Sequence, residues 1–167
     1  MLDFIDVKKV LSEIEPREGI GDELLEFTMK LVPYIGAELI IKNENGEYLL
    51  GYRKDKFYDG WHFVGGIIRC GESWAGRINK TAEKELGCRV IAEPNPFYVY
   101  ENPSRENDIR GHSICLLFRC KLSGELGKKF WNRIDAPVDG ELAWFKESPA
   151  NIIPSHSTYF ELMEKFY

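Results

Sequence analysis

Residues 60–88 read GWHFVGGIIRCGESWAGRINKTAEKELGC, and this stretch decides the fold. A short apolar strand leads into a glycine pair and a turn, and a charged helix follows. Ser73 is a good N-cap for the helix predicted over 73–86, and Gly87 can take the left-handed conformation that ends it. Hard cations prefer oxygen ligands, and Mg²⁺ takes one or two carboxylates plus substrate phosphates. A strand, a glycine loop and a carboxylate-bearing helix therefore predict a platform for Mg²⁺ and a diphosphate.

The spacing of this stretch resembles the Nudix hydrolase box, G-x5-E-x7-R-E-U-x-E-E-x-G-U, in which U is apolar. The matching positions are Gly66, Glu72, Glu85, Gly87 and Cys88. The departures are Lys80 in place of Arg, and Thr81 and Lys84 in place of Glu. Of the metal-binding glutamates that most members carry, only Glu85 keeps its place. The resemblance implies an α/β fold, the Nudix α/β/α sandwich with a mixed sheet.

Two further stretches narrow the resemblance to the GDP-mannose mannosyl hydrolase branch. Residues 37–53 look like its opening hairpin, and the sequence HSTYF at 156–160 looks like its C-terminal motif. In that branch only the last glutamate of the box binds metal, so a thinned box is expected there. We expect a single domain, with a Nudix core over 33–167 and an extra N-terminal helical pair over 1–32.

The resemblance implies a metal site for Mg²⁺, or Mn²⁺, at the glycine loop. Glu85 and the backbone carbonyl of Gly65 are its first two ligands. Glu72 matches a family glutamate that is either a metal ligand or a structural residue, which holds the loop by pairing with the basic residue of the box, here Lys80.

The general base is the least defined part of the predicted site. In the branch, a Gln-His pair before the Trp of a late strand supplies a metal ligand and the base. Counting back from Trp144, those positions hold Val138 and Asp139. A carboxylate can bind Mg²⁺ or accept a proton from water, so Asp139 is a candidate for either role. A simple turn residue is an equal alternative.

Four residues are candidates for contacting the substrate. Arg53 matches a branch arginine that binds the departing diphosphate, and its forked guanidinium fits two phosphate oxygens. Glu38 falls where the branch has an Asp that engages the substrate, although a strand residue could equally face solvent. Arg69 could replace the arginine that follows the glycine pair in the branch, where this chain has Ile67. His112 could reach a sugar or phosphate, or be structural.

Three other residues have open roles. His156 matches a branch histidine and lies at a helix start, and no role is assigned to it. Trp61 and Tyr100 could stack on a nucleotide base or belong to the core.

Composition restricts the class of partner. The 167 residues carry 22 Lys and Arg against 27 Asp and Glu, a formal net charge of −5. A mildly acidic chain without a basic cluster argues against nucleic-acid binding, so an anionic substrate would need a local positive site. No apolar run is long enough to cross a membrane, and the N-terminus lacks a signal-peptide pattern. The four cysteines lack C-x-x-C spacing and indicate reduced thiols in a cytoplasmic protein.

Outside the box, apolar periodicity and turn residues predict the remaining elements. Strands are predicted at 37–42, 47–53, 61–64, 89–93, 97–101, 112–121 and 141–145. Helices are predicted at 3–14, at 22–31 with Asp22 as a possible N-cap, and from Ser157. Asn45-Gly46 is a strong hairpin signal, and the polar loop 102–111 could be a lid. The N-terminal helices would pack on the domain edge or on the second subunit of a homodimer.

The function implied by the resemblance is Mg²⁺-dependent hydrolysis of a nucleoside diphosphate derivative, most plausibly a GDP-sugar. In the branch, water attacks the anomeric carbon and GDP leaves intact. Because the Gln-His pair is missing, attack at phosphorus, as in most Nudix pyrophosphohydrolases, is the enzymatic alternative. A nucleotide-binding module that has lost catalysis is the alternative of another class.

Overall fold

A computed structural model describes residues 8–9, 11–15, 19–103, 112–127 and 136–167 of the chain. Within these ranges the strands form two sheets, one of five strands and one of three. Residues 8–9 and 11–12 are helical. The rest of the first predicted helix before residue 13 lies outside the described residues, as do residues 104–111 of the predicted loop and residues 128–135.

The elements follow the order expected from the sequence. They are α1 (Asp22–Met29), β1 (Tyr34–Ile41), β2 (Tyr48–Lys54), β3 (Asp59–Phe63), β4 (Gly65–Ile67), α2 (Trp74–Thr81) with a π-helical continuation (Ala82–Leu86), β5 (Val90–Ala92), β6 (Tyr98–Asn102), β7 (Ser113–Leu122), β8 (Leu142–Phe145), a 3₁₀ turn (Pro154–His156) and α3 (Tyr159–Phe166). Every predicted strand is confirmed within one to three residues at each end. Strand β4, over the glycine pair, was not predicted.

The larger sheet is mixed, as predicted. Strand β1 runs parallel to β7 and antiparallel to β4. The other edge of β7 pairs with β5 and β6, both antiparallel. Parallel neighbours need a long crossover connection, and here the chain between β1 and β7 supplies the glycine loop and helix α2. This arrangement places the loop at the edge of the sheet, beside β1.

The predicted hairpin at Asn45-Gly46 is wrong in one respect. The turn itself forms: Asn43 Oδ1 accepts the Asn45 and Glu47 N–H groups at 3.0 and 2.9 Å, and Gly46 has φ 82°. The strands that it joins belong to different sheets, because β2 lies between β3 and β8. Only an isolated bridge between Lys42 and Tyr48 connects them. The turn therefore links the two sheets rather than closing a hairpin.

Helix ends agree with the predicted caps in α2 but not in α1. Ser73 Oγ accepts the Gly76 N–H at 3.1 Å at the start of α2, and Gly87, with φ 69°, ends its continuation. In α1 the N-cap residue is Gly21, and the predicted cap Asp22 is instead the first residue of the helix. No side chain that the structure describes caps this end of α1. Among the described residues, no helix has the length and apolar character to cross a membrane.

The faces of β1 pack into two apolar clusters. One cluster joins the face of Ala37, Leu39 and Ile41 to α2 through Ile78 and Ala82. The other fills the space around Ile40, β2 and α3 and is rich in aromatic rings, with Trp61, Phe63 and Tyr159 fully buried. Burial of these large side chains supplies the main favourable term for folding.

Candidate active site

Glu38 is the only charged residue of β1, and it is buried. It lies opposite Gly65 of β4, and Gly36 is its neighbour on the same face of the strand. A Cβ on Gly65 would overlap the Glu38 carboxylate, and a Cβ on Gly36 would lie 3.2 Å from Glu38 Oε1. Glu38 is only 7% exposed, so the alternative that it faces solvent is wrong. The two glycines make room for a carboxylate directly over the predicted metal loop.

A second carboxylate, that of Glu85, lies within electrostatic range of Glu38. Burial, and then the negative charge of Glu85, raise the pKa of Glu38 to about 8. Glu38 Oε2 has no hydrogen-bond partner among the residues that the structure describes. A buried carboxylate without a positive partner is unfavourable, and a like charge nearby makes it more so. The pair is therefore suited to a bound cation.

The number of side-chain ligands favours Mg²⁺ or Mn²⁺ with phosphates. Within the described ranges, no three His, Cys, Asp or Glu side chains converge on a point that could hold a metal. Two carboxylates and a backbone oxygen leave coordination positions open, and Mg²⁺ usually fills such positions with water and substrate phosphates. The residues present thus fit the metal that the resemblance implies.

Glu85 lies in the π-helical continuation of α2. Such wide turns are frequent at functional sites. The segment ends at Gly87, where a Cβ would lie 2.9 Å from Gly127 Cα, so only glycine fits this position without a backbone shift. The end of the helix, and with it Glu85, is fixed by this close contact between two backbones.

Glu72 holds the glycine loop to helix α2. Its Oε2 lies 2.6 Å from Arg77 Nη2 and accepts the Arg77 Nε–H at 2.8 Å, and its Oε1 lies 3.0 Å from Lys80 Nζ. It also accepts the Arg69 N–H at 3.2 Å. Burial acts to raise the pKa of Glu72, but Lys80, the Arg69 amide and Arg77 outweigh it and lower the pKa. These contacts favour the structural role over the metal-ligand role.

The role of Arg77 was not predicted from the sequence. Its side chain is 11% exposed, whereas that of Lys80 is 57% exposed, so Arg77 provides the buried half of the loop contact. The two basic residues are three positions apart and share one helix face. The spacing of Arg77 three residues before Lys80 was the sequence signal that could have identified it. Arg77 and Thr81 also cover Gly66, since a Cβ there would lie 2.9 Å from Arg77 Cδ and 2.7 Å from Thr81 Oγ1.

Arg53, at the end of β2, is held in place by the following turn. Its Nε donates to Asp55 Oδ2 at 2.5 Å, and its guanidinium lies 5.6 Å from the centre of the Tyr58 ring. Asp55 Oδ1 in turn accepts the N–H groups of Phe57 and Tyr58 at 2.8 and 2.9 Å. The Arg53 side chain is about one-third exposed, at 33%. This hydrogen bond uses the Nε–H of the guanidinium, not its terminal NH₂ groups.

Tyr34 connects the neighbourhood of Arg53 with that of Glu38. Partial burial raises the pKa of Tyr34 to about 12, and the nearby Cys115, Tyr58 and Glu38 contribute in the same direction. Tyr58 belongs to the Arg53 turn and Glu38 to the metal loop. Tyr34 is therefore within electrostatic range of both the Arg53 turn and the buried carboxylate.

Asp139 is exposed and bonds to the backbone. Its Oδ1 accepts the Lys54 N–H at 2.8 Å at the end of β2. The same turn is fixed by Glu141, whose Oε2 accepts the Val138 N–H at 2.9 Å. This geometry favours the turn-residue alternative. The roles of Asp139 as general base or third metal ligand stay predictions.

Arg69 and His112 lie against other parts of the chain. The Arg69 guanidinium is next to Gly19, where a Cβ would lie 3.3 Å from Nη2. His112 Nε2 lies 3.1 Å from Glu101 Oε1, an ion pair when the histidine is protonated. Their predicted contacts with substrate stay predictions.

The three residues with open roles pack in the core or, for Tyr100, against it. His156 Nδ1 accepts the Phe63 N–H at 3.0 Å, and its ring stacks on Tyr159 at 4.6 Å. Burial, followed by the charges of His62 and Arg53, lowers the pKa of His156 well below its usual range, so the imidazole is neutral. Trp61 is 1% exposed, which rules out stacking on a base, and Tyr100 packs edge-on against Tyr159.

Comparisons with known proteins agree with this description. A model of the NUDIX domain matches residues 33–166. The low-salt glycan biosynthesis protein Agl8 of Haloferax volcanii is 27% identical over 116 residues, 66% of this chain and 73% of the relative.

Two solved structures with similar folds have TM-scores of 0.61. A possible asymmetric diadenosine tetraphosphate hydrolase from Jonesia denitrificans is 21% identical and covers 81% of this chain and 94% of its own. A UDP-X diphosphatase is 18% identical and covers 97% of this chain and 79% of its own. At these identities the likeness concerns the fold alone.

Proposed function

The chain belongs to the NUDIX domain family, and from this premise we propose that it hydrolyses a nucleotide sugar of the GDP-mannose type with Mg²⁺ or Mn²⁺. Membership of the family supports hydrolysis of a nucleoside diphosphate derivative. The observation that carries the proposal is the buried, unpartnered Glu38 carboxylate, which lies over Gly65 and within electrostatic range of Glu85.

The metal would be held by Glu85 and the Gly65 carbonyl, with the substrate diphosphate as a further ligand. When bound, the cation would neutralise negative charge that develops on the leaving diphosphate. Glu72 is not needed for this role, because Arg77 and Lys80 already engage it.

Arg53 would bind the substrate diphosphate. Asp55 takes the Nε–H and Tyr58 lies under the guanidinium plane, so the orientation of the fork is set before a ligand arrives. Two parallel N–H groups match two phosphate oxygens, which a lysine ammonium cannot reproduce. Arg53 would supply the local positive group that an anionic substrate needs on a chain of net charge −5.

The relative from Haloferax volcanii supports a sugar substrate. Its name places it in glycan biosynthesis, and such pathways use sugars activated as nucleotide derivatives. The mannosyl hydrolase resemblance of residues 37–53 and 156–160 points to the same substrate class.

Attack at phosphorus is a second candidate, and one observation favours it. The positions of the branch Gln-His pair are held by Val138, which is 54% exposed, and by Asp139, which bonds to the backbone of β2. Without that pair, the base that would activate water at the sugar carbon is not identified.

The experiment is turnover with Mg²⁺ on GDP-mannose, UDP-glucose and ADP-ribose in ¹⁸O-water, with products identified by mass spectrometry. Label in the sugar hydroxyl would establish attack at carbon, and label in a phosphate would establish attack at phosphorus. A ligand-induced rise in melting temperature without any product would contradict the enzymatic proposal and favour a binding module.

A further inference from the structure

The glycine-loop helix offers few metal ligands. Thr81 and Lys84 stand where the family pattern has glutamates. Thr81 is 3% exposed and packs over Gly66, and Lys84 is exposed. Glu83 is also on the surface, where its Oε1 lies 3.2 Å from Arg89 Nε. Among the described residues of this helix, Glu85 is thus the one carboxylate that lies near the glycine loop.

Strand β1 supplies a second carboxylate at the same place. Glu38 is 7% exposed, and its Oε2 has no hydrogen-bond partner among the described residues. Its position over Gly65 exists only because Gly65 and Gly36 lack side chains. No described Lys or Arg forms an ion pair with it. A charged carboxylate buried in this way beside another carboxylate is unfavourable, and a bound cation would offset that cost.

We propose that Glu38 is a direct ligand of the divalent cation, supplied by the sheet in place of the carboxylates that the helix has lost. This role of Glu38 rests on the proposed function, which requires the cation, and makes Glu38 the second carboxylate ligand of that cation. Glu38, Glu85 and the Gly65 carbonyl form an all-oxygen set with two carboxylates, which is the composition that Mg²⁺ sites on phosphate substrates use.

The test is the affinity of the whole chain for Mn²⁺ alone, measured from the electron paramagnetic resonance signal of the free ion. Glu38→Gln keeps the shape and removes the charge, so we expect the dissociation constant to rise at least about tenfold, as it does when metal sites lose a supporting group. Glu85→Gln should behave alike. Glu141→Gln is the matched control: Glu141 is also buried, at 5% exposure, but bonds to Val138, and the affinity should stay within about twofold.

Glu38→Asp separates ligation from general electrostatics. It keeps the charge but withdraws the carboxylate by one methylene, so a direct ligand loses affinity and a remote charge does not. It also keeps the test valid if Glu38→Gln fails to fold. Unchanged Mn²⁺ affinity in both Glu38 variants, with a loss in Glu85→Gln, would overturn the inference and leave the proposed function standing. A wild-type chain that binds no Mn²⁺, even with GDP present, would overturn the proposed function itself.

Discussion

The ion pair between Arg77 and Glu72 makes a prediction about stability whose size follows from burial. The two side chains are 11% and 5% exposed, so Arg77→Met would leave a buried carboxylate with only Lys80 and the Arg69 N–H. Removing one partner of a buried pair destabilises a protein by about 3–5 kcal/mol. Because Lys80 remains, we expect a loss of about 2–3 kcal/mol, at or below the lower limit of that range.

Urea unfolding of Arg77→Met, Glu72→Gln and the double variant measures this directly. The double variant should be more stable than the sum of the single losses predicts, by at least about 1 kcal/mol, because it leaves no buried unpaired charge. Lys80→Met is the control, since its side chain is 57% exposed and should contribute less than about 1 kcal/mol. Additive single losses, or a larger loss in Lys80→Met than in Arg77→Met, would refute the reasoning.

The same pair also fixes the sign of a pH effect. The pKa of Glu72 is lowered in the folded protein from the ordinary value of 4.5. Its contribution to stability is therefore present above pH 4.5 and is lost as the pH falls through the folded-state pKa. The difference in stability between the wild type and Arg77→Met should shrink over that window.

Three further predictions concern single residues. His156 stays neutral in the folded state, so the free energy of unfolding should fall by up to about 1.4 kcal/mol per pH unit as the pH drops below about 6.5. His156→Asn keeps an acceptor for the Phe63 N–H and should remove this pH dependence, as measured by urea titrations at about pH 7 and 5. Arg53→Lys should lose turnover while its melting temperature stays nearly unchanged, and a large drop in melting temperature would show a structural role instead. If Asp139 is the base, Asp139→Asn should lower turnover about 10²- to 10⁴-fold and abolish the acid limb of the pH–rate profile. If Asp139 is a metal ligand, the same change should raise the Mg²⁺ concentration that activity requires. Full activity would make it the turn residue that its bond to Lys54 suggests.

The sequence was most informative where local chemistry decides the backbone. Ser73 and Gly87 were predicted to bound the box helix, and both do so, Ser73 through a side-chain cap to Gly76 and Gly87 through a left-handed φ. The pairing of strands was less predictable. Asn45-Gly46 specifies a turn, but whether the flanking strands pair with each other depends on competition from β7 and β8, which are distant in sequence.

The burial of polar residues was the main feature that sequence patterns could not predict. In β1, alternation places Glu38 on the face opposite Ala37 and Leu39, and that face would be solvated in an isolated sheet. It is buried because β2, β3 and α3 pack over it. The pairing of Arg77 with Glu72 was missed for a related reason, since it depends on how the loop folds back on α2 rather than on the spacing of the box.

The metal role of Glu85 is the centre of the proposed mechanism, and one comparison tests it most directly. Turnover of the preferred nucleotide sugar at saturating Mg²⁺ is measured for the wild type, Glu85→Gln and Glu83→Gln. Glu83 is the control from the same helical turn, because its carboxylate points to Arg89 on the surface. Loss of a charge that neutralises the leaving diphosphate predicts a drop of about two orders of magnitude or more for Glu85→Gln and near wild-type turnover for Glu83→Gln. Equal turnover in all three proteins would contradict the proposed site.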